Sequence, residues 1–347
     1  MEKIDIKSMT MTELTEEILR MQLPKFRAKQ IYEWLHQKSA EDFAEMTNIG
    51  RDLQARLNER FCIRRAEIVR RQQSQIDGTV KYLFRLYDGE TIESVLMQYH
   101  HGYSICISTQ VGCKMGCTFC ATGKGGFFRN LSASEMLAQI QAAQRAEGIR
   151  VSNVVLMGMG EPLDNYENVL RFLTLVSGEE GMHIGMRHIS LSTCGIVDKL
   201  YDLADRKLQL TLSVSLHAPN DEIRGRTMPV NHKWNISELL RACRYYTEQT
   251  GRRISFEYAM IDGVNDSDEA ARELAHRLRG IIAHVNLIPV NPVTETAYQK
   301  SSIARQKRFV RILESAGISA TVRRTLGADI DASCGQLRRK FDKEEHS

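Results

Sequence analysis

SICIS (residues 104–108), VVLMGMG (154–160), HISLSTCG (188–195), LTLSVSLHA (210–218), ISFEYAMIDG (254–263) and HVNLIPVNP (284–292) are short apolar runs, each parted from the next by a helix-like segment. Runs of this length, rich in β-branched and aliphatic residues and bounded by Gly, Pro or Asn, read as strands. Strand–helix repetition lays the strands side by side and parallel, with right-handed crossovers. The fold class is therefore α/β: a full or partial (βα) barrel, or a doubly wound sheet. The helix in SASEMLAQIQAAQRAEG (132–148) carries its own punctuation, a capping box at Ser132 and Glu135 and a stop at Gly148. In barrels, chemistry gathers at the carboxyl ends of the strands, and GMGEP, STCG, SLHAPN and VNP fall there.

Outward from this repeat the chain changes character. Residues 1–60 read as a small N-terminal helical accessory domain. Thr10 and Glu13 make a capping box, and Pro24 opens KFRAKQIYEWLHQK (25–38), whose Phe26, Ile31, Trp34 and Leu35 lie near one face. Residues 61–98 hold alternating stretches such as VKYLFRLYDGETIESVLM (80–97), with Asp88-Gly89 as a hairpin turn, and read as a short β-rich linker. The core then spans 99–327, and a C-terminal segment covers 328–347.

Of the 347 residues, 42% are hydrophobic and 26% charged, which excludes a disordered or collagen-like chain. No apolar run approaches the roughly 18–20 residues of a membrane span, and MEKIDIKSMTMTELTEE (1–17) lacks the apolar stretch of a signal peptide. No membrane association and a cytoplasmic location are expected. The net charge of +4 is compatible with nucleic acid without requiring it.

Of eight cysteines, the close-set ones read as metal ligands rather than disulfides. Cys113, Cys117 and Cys120 in CKMGCTFC follow the first core strand, where one short loop turns three thiolates to one side. A [4Fe-4S] cluster normally takes four thiolates, so three leave one iron open. The competing reading is a structural zinc site completed by Cys106 or a distant residue, although zinc ligands usually come as two separated pairs. Gly158 and Gly160, before Glu161, remove side-chain bulk at a strand end, so that backbone carbonyls can approach a ligand. His217 is read as a binding residue, His100 and His101 as loop residues, and Cys62, Cys194 and Cys243 as small buried apolar groups.

CxxxCxxC with an aromatic, Phe119, before its last cysteine resembles the signature of the radical S-adenosylmethionine (SAM) superfamily. The likeness implies a [4Fe-4S] cluster on Cys113, Cys117 and Cys120, a full or partial βα barrel, and SAM at the strand ends near Gly160, Glu161, Ser192, Ser215, Leu216, His217 and Asn291. CISTQVGCKMGCTFCATG (106–123), MGMGEPL (157–163) and GADIDASCGQL (327–337) together resemble the RlmN family of RNA adenine methyltransferases over nearly the whole chain, with the Cfr methyltransferases as cousins.

That resemblance implies methylation of carbon 2 of adenosine 2503 in 23S rRNA and of adenosine 37 in certain tRNAs, with two SAM per turnover. Carbon 2 has no lone pair and cannot simply attack the methyl of SAM. By resemblance, Cys334 first accepts a methyl group. A 5′-deoxyadenosyl radical from the second SAM then removes hydrogen from it, and the carbon radical adds to the adenine. Glu93 matches the family's proton acceptor, and attack by Cys106 releases the product and leaves a Cys106–Cys334 disulfide. A flavodoxin-type electron donor follows by analogy. Cfr-like methylation at carbon 8 would use the same cysteines, but GEPLDNYENV (160–169) and DIDASCGQL (329–337) look closer to RlmN.

RRAEIVRR (64–71), Arg323, Arg324, Arg338 and Arg339 offer phosphate contacts, and the N-terminal helices, with Lys25, Arg27 and Lys29 beside Phe26, offer a grip on folded RNA. Two other classes stay open on the residues alone. One is a zinc-stabilised RNA-binding protein without catalysis. The other is a radical SAM enzyme acting on a protein or small molecule, in which Cys334 has no covalent duty.

Overall fold

The computed structural model describes residues 3–290, 298–330, 335–338 and 341. The chain opens with a short strand β1 (Ile4–Asp5) and three helices, α1 (Met11–Arg20), α2 (Phe26–His36) and α3 (Arg51–Arg60), before β2 (Phe61–Cys62) pairs in parallel with β1. The Thr10–Glu13 capping box forms as expected. Ile31 and Leu35 are buried and Trp34 partly so, but Phe26 is 56% exposed, with the Arg27 guanidinium over its ring. Five residues before Ile31, it lies about 140° round the helix and off the buried stripe.

The main sheet begins with β3 (Glu67–Gln73), β4 (Val80–Arg85), β5 (Thr91–Tyr99) and β6 (Gly102–Cys106), each antiparallel to the next. The Asp88-Gly89 turn joins β4 to β5, with Gly89 at φ 87°, where a side chain is disfavoured. A two-stranded ribbon, β7 (Gln110–Gly112) and β8 (Phe127–Asn130), then flanks the one-turn α4 (Ala121–Lys124). Next comes α5 (Ala133–Glu147), with its Ser132–Glu135 capping box and a left-handed Gly148 at its end. The repeat continues as β9 (Val151–Leu156), α6 (Tyr166–Ser177), β10 (Ile189–Thr193), α7 (Val197–Asp205), β11 (Thr211–Ser215), α8 (Asp221–Thr227) and α9 (Ile236–Thr250). It closes with β12 (Ile254–Met260), α10 (Asp268–Arg277), β13 (Ala283–Pro289), α11 (Ile303–Ser315) and β14 (Ser319–Val322).

Strand order is β14-β13-β12-β11-β10-β9-β6-β5-β4-β3, so each βα unit adds on the same side of the last. A doubly wound sheet needs the order to reverse; right-handed units that keep one direction curl into a partial barrel. Residues 61–98 do more than link: β3–β5 continue the same sheet as an antiparallel extension. The N-terminal helices are keyed to the core by buried polar groups. Lys7 Nζ donates to Gln141 Oε1 at 3.0 Å, and Gln141 Nε2 donates to the Leu35 carbonyl at 2.7 Å.

Register sorts the two faces of the sheet. Leu212, Val214, Phe256 and Val285 belong to the apolar core beneath the helices. In register with one another on the opposite face stand Ser192, Ser213, Ser255 and His284, then Ser215, Glu257, Asn286 and Thr321. Parallel strands covered on both faces are apolar throughout, whereas these alternate because one face lines an open half-barrel.

Candidate functional site

Cys113, Cys117 and Cys120 lie on the loop from β7 to β8, which backbone contacts hold in shape. Cys113 N–H donates to the Gly126 carbonyl at 2.8 Å, Thr118 N–H to Thr227 at 2.9 Å, and Cys120 N–H to Cys117 at 3.1 Å. At Gly112 a Cβ would stand 2.0 Å from the Gly126 carbonyl oxygen. Met115, Cys117 and Phe119 pack, as Trp234 does, on the buried cluster of Cys194, Met228 and Val230, and Phe119 meets the His217 ring edge-on at 4.8 Å. Burial pushes the Cys113 thiol up to about 12 and Cys117 up as well. A thiolate in such a setting needs a nearby positive charge, which bound iron supplies.

A cation already stands there. Arg224 is fully buried, and the Coulombic fields of Cys117 and Cys194 act on it. Its guanidinium donates to the carbonyls of Cys194 (2.7 Å), Leu216 (3.3 Å), Ser215 (3.3 Å) and Trp234 (3.5 Å) and to Asn231 Oδ1 (3.1 Å). A cysteine loop held by backbone hydrogen bonds, with a buried cation in the field of Cys117, suits an anionic thiolate cluster. Among the described residues no three His, Cys, Asp or Glu side chains converge on a single metal ion. The cysteines of a cluster each hold a separate iron and do not need to.

The strand ends behave differently from the simplest expectation. A Cβ on Gly158 would come 2.5 Å from the Ile107 carbonyl oxygen, and one on Gly160, at φ 103°, 2.6 Å from Gln110. The bulk these glycines lack would strike the chain just beyond β6 and the start of β7, so close backbone packing is one reason for them. The Glu161 carboxylate is buried and accepts the N–H groups of Cys194 at 2.7 Å and Leu163 at 3.0 Å, a strap between the ends of β9 and β10. Burial raises its pKa and these N–H groups oppose the rise. Ser192 and Ser215 are partly exposed and Leu216 is buried. His217, left-handed at φ 56°, accepts the Ala259 N–H on Nδ1 at 2.8 Å, and burial lowers its pKa to about 3. It is a fixed neutral imidazole, not an acid or base near pH 7. Asn291 lies outside the described residues.

On β4, β5 and β6, Val95 is in register with both Lys81 and Cys106, and Glu93 comes two residues earlier on the same face. Cys106 is buried with Val95 and Met97, against Met157 and Leu326. Glu93 is buried and ion-paired with Lys81. Cys334 lies outside the described residues, and so does the disulfide that the resemblance implies. Its chain neighbours are described. Gly327 N–H donates to Asp77, and Asp329 accepts from the Ser74 hydroxyl and the Gln75 N–H. Gly335, at φ 80°, lies so close to Thr122 that a Cβ would stand 2.6 Å from its nitrogen.

Some expected phosphate ligands are otherwise engaged. Arg71 pairs with Glu147, and Arg338 is buried and pairs with Glu90. Arg65, Arg323 and Arg324 are exposed. Arg339 lies outside the described residues. Sequence reasoning missed Lys81, Arg224 and Glu257. The only signal for the last was its place in the alternating ISFEYAM.

A partial βα barrel whose cysteine triplet follows the first parallel strand defines a radical SAM enzyme core. Residues 107–275 match the family model of the Radical SAM superfamily, and residues 4–63 match the Ribosomal RNA large subunit methyltransferase N-terminal domain. The chain is 54% identical over 340 residues to the probable dual-specificity RNA methyltransferase RlmN of Alkaliphilus oremlandii, covering 98% of this chain and 99% of that one. It is 51% identical to the protein of the same name from Lachnoclostridium phytofermentans, covering 98% and 96%. The crystal structure of a radical SAM methyltransferase from Sphaerobacter thermophilus is similar with a TM-score of 0.92 at 46% identity, covering 96% of this chain and 98% of that one. The chain belongs to the RlmN family. Its superfamily implies a [4Fe-4S] cluster and SAM as cofactors.

Proposed function

We propose that this chain methylates carbon 2 of an adenosine in RNA, adenosine 2503 of 23S rRNA and adenosine 37 of certain tRNAs, with Cys334 carrying the methyl group. The observation that supports this most is convergence: the tail residue following Cys334 packs against Thr122, two residues beyond Cys120, while Leu326 packs by Cys106. Cys113, Cys117 and Cys120 would hold a [4Fe-4S] cluster, which when bound would supply the one-electron reduction of SAM. Gly160, Glu161, Ser192, Ser215, Leu216, His217 and Asn291 form the strand-end seat for SAM. The Cys334 sulfur takes the methyl as a nucleophile, Glu93 accepts the ring proton, and the Cys106 sulfur attacks that of Cys334 to free the product. The resulting disulfide is reduced before the next cycle.

The target base leaves its stack to enter the half-barrel. Exposed Arg65, Arg323 and Arg324 hold phosphates, and the N-terminal helices grip folded RNA. A reduced flavodoxin-type protein donates the electron. The setting is the cytoplasm, where the proposed rRNA and tRNA substrates are found.

The test is anaerobic reconstitution with iron and sulfide, then incubation with SAM, reductant and unmethylated 23S rRNA fragments or tRNA. Nucleosides and the Cys334 peptide are read by mass spectrometry. 2-Methyladenosine with methylated Cys334 is the expected result. 8-Methyladenosine would make the activity Cfr-like, and intact SAM with unmodified Cys334, where a control enzyme turns over, would refute the reading.

A further inference from the structure

The Glu93 carboxylate, 2% exposed, holds three partners at once. Lys81 Nζ, with a fully buried side chain, stands 2.8 Å from Oε2. The Gly335 N–H donates to the same oxygen at 2.6 Å, and the Arg338 N–H donates to Oε1 at 2.6 Å. Both amides open the helical turn at Gln336–Arg338, where backbone N–H groups have no partner within their own turn. We infer that the Lys81–Glu93 pair is the anchor of the C-terminal tail: Lys81 is a positioning residue for the chemistry of Cys334, the residue just before Gly335, and Glu93 has this positioning role in addition to accepting the ring proton. This rests on the reading of Cys334 as the methyl carrier.

The physical case is one of charge balance. An ammonium and a carboxylate buried within a sheet lose their hydration, and a pair of apolar side chains of similar volume often serves stability as well. What an apolar pair cannot do is accept two main-chain N–H groups from a segment 242 and 245 residues away. Charge-assisted bonds of this length are the strong class, and they fix direction as well as distance. The surrounding contacts share the pattern. Asp77 and Ser74 bind Gly327 and Asp329, and Glu90 binds Arg338, so β3–β5 and their turns form a platform for the tail on either side of residues 331–334. Gly335 then abuts Thr122, which sets the tail against the cysteine loop. An ionised carboxylate offers about four acceptor positions, and three are in use. A proton taken up by Glu93 therefore weakens the hold on the tail, which couples proton acceptance to release of the segment.

Hydrogen–deuterium exchange of the full-length protein, read on the peptide over residues 335–338, tests this without any turnover. The variants are Glu93→Gln, Lys81→Arg, and the double change Lys81→Met with Glu93→Gln, which removes both charges together and leaves no unpaired buried ion. Exchange of these amides is expected to quicken about 10- to 100-fold in Glu93→Gln and in the double variant, with peptides from β10–β12 unchanged. Lys81→Arg, keeping the charge, should retain most of the protection. Methyl transfer from SAM to Cys334, which precedes any transfer of the ring proton, should slow in the double variant as read on the Cys334 peptide by mass spectrometry. Unchanged exchange at 335–338 in the double variant would overturn the anchor, as would a rate of Cys334 methylation equal to that of the parent. If exchange responds while the parent protein never methylates Cys334, the anchor stands and the proposed function fails.

Discussion

Replacing Arg224 with methionine should destabilise the protein by about 3–5 kcal/mol. The guanidinium makes five hydrogen bonds, two at 2.7 and 3.1 Å and three at 3.3–3.5 Å, all to buried or partly buried acceptors at the ends of β10 and β11 and in the stretch between α8 and α9. Bonds to a charged donor are worth about 1.5–3 kcal/mol each, and an acceptor left buried and unsatisfied costs about 1–3 kcal/mol. Counting the two short bonds in full and the three long ones weakly gives a loss near 6 kcal/mol. Removing a buried cation recovers part of that, since its desolvation was itself unfavourable. A net loss of about 3–5 kcal/mol is expected. Urea unfolding of the metal-free protein, followed by far-ultraviolet circular dichroism, measures it directly. Arg224→Lys, which keeps the charge but has three donors instead of five, should fall roughly midway. Because the freed carbonyls include those of Ser215 and Leu216, SAM affinity measured by calorimetry should drop as well. A loss under about 1 kcal/mol for Arg224→Met would show that the carbonyl network does not bear on stability, and the reasoning would be wrong.

Gly158→Ala should destabilise by about 1–3 kcal/mol in the same unfolding assay, since the new methyl meets the Ile107 and Ser108 backbone rather than a movable side chain; an unchanged midpoint would refute the close approach. Acid should weaken the fold steeply, because His36 and His217 are both buried and lowered to about 3. Unfolded histidines bind their protons near 6.5, so stability complete above that pH is lost as pH falls toward 3, by up to about 2.7 kcal/mol per pH unit for the two. Lys7, lowered to about 8, adds nothing to this slope, since below pH 8 it is protonated in both states. Neither ring nitrogen of His36 has a hydrogen-bond partner among the described residues, so His36→Phe should roughly halve the slope; a slope equal to that of the parent protein would contradict this. Cys117→Ala should leave the fold intact but lower iron retained after reconstitution and abolish 5′-deoxyadenosine formation. Full iron content in that variant would remove Cys117 from the ligand set.

What the amino-acid sequence determined by itself is local. The spacing of Cys113, Cys117 and Cys120, the capping boxes at Thr10 and Ser132, the Asp88-Gly89 turn and the alternation of the six strands depend on neighbours a few residues apart, and all were legible. Sheet order was not, because a run of βα units is compatible with two windings until each crossover takes its side. Nor could β3–β5 be recognised as part of the main sheet, since the pairing that joins them to it, β5 with β6, looks like any hairpin in sequence. Tertiary structure alone decided which charges are buried. Glu93 in an alternating strand reads as solvent-facing, yet its partners are Lys81 across one strand and amides more than 240 residues away. Arg224 reads as one more charged residue on a short helix until five acceptors from three separate segments close around it. The glycines of MGMGEP show the same division: the motif is visible in one dimension, but the Ile107 carbonyl that leaves no room for a side chain at Gly158 arrives only when β6 and β9 pair.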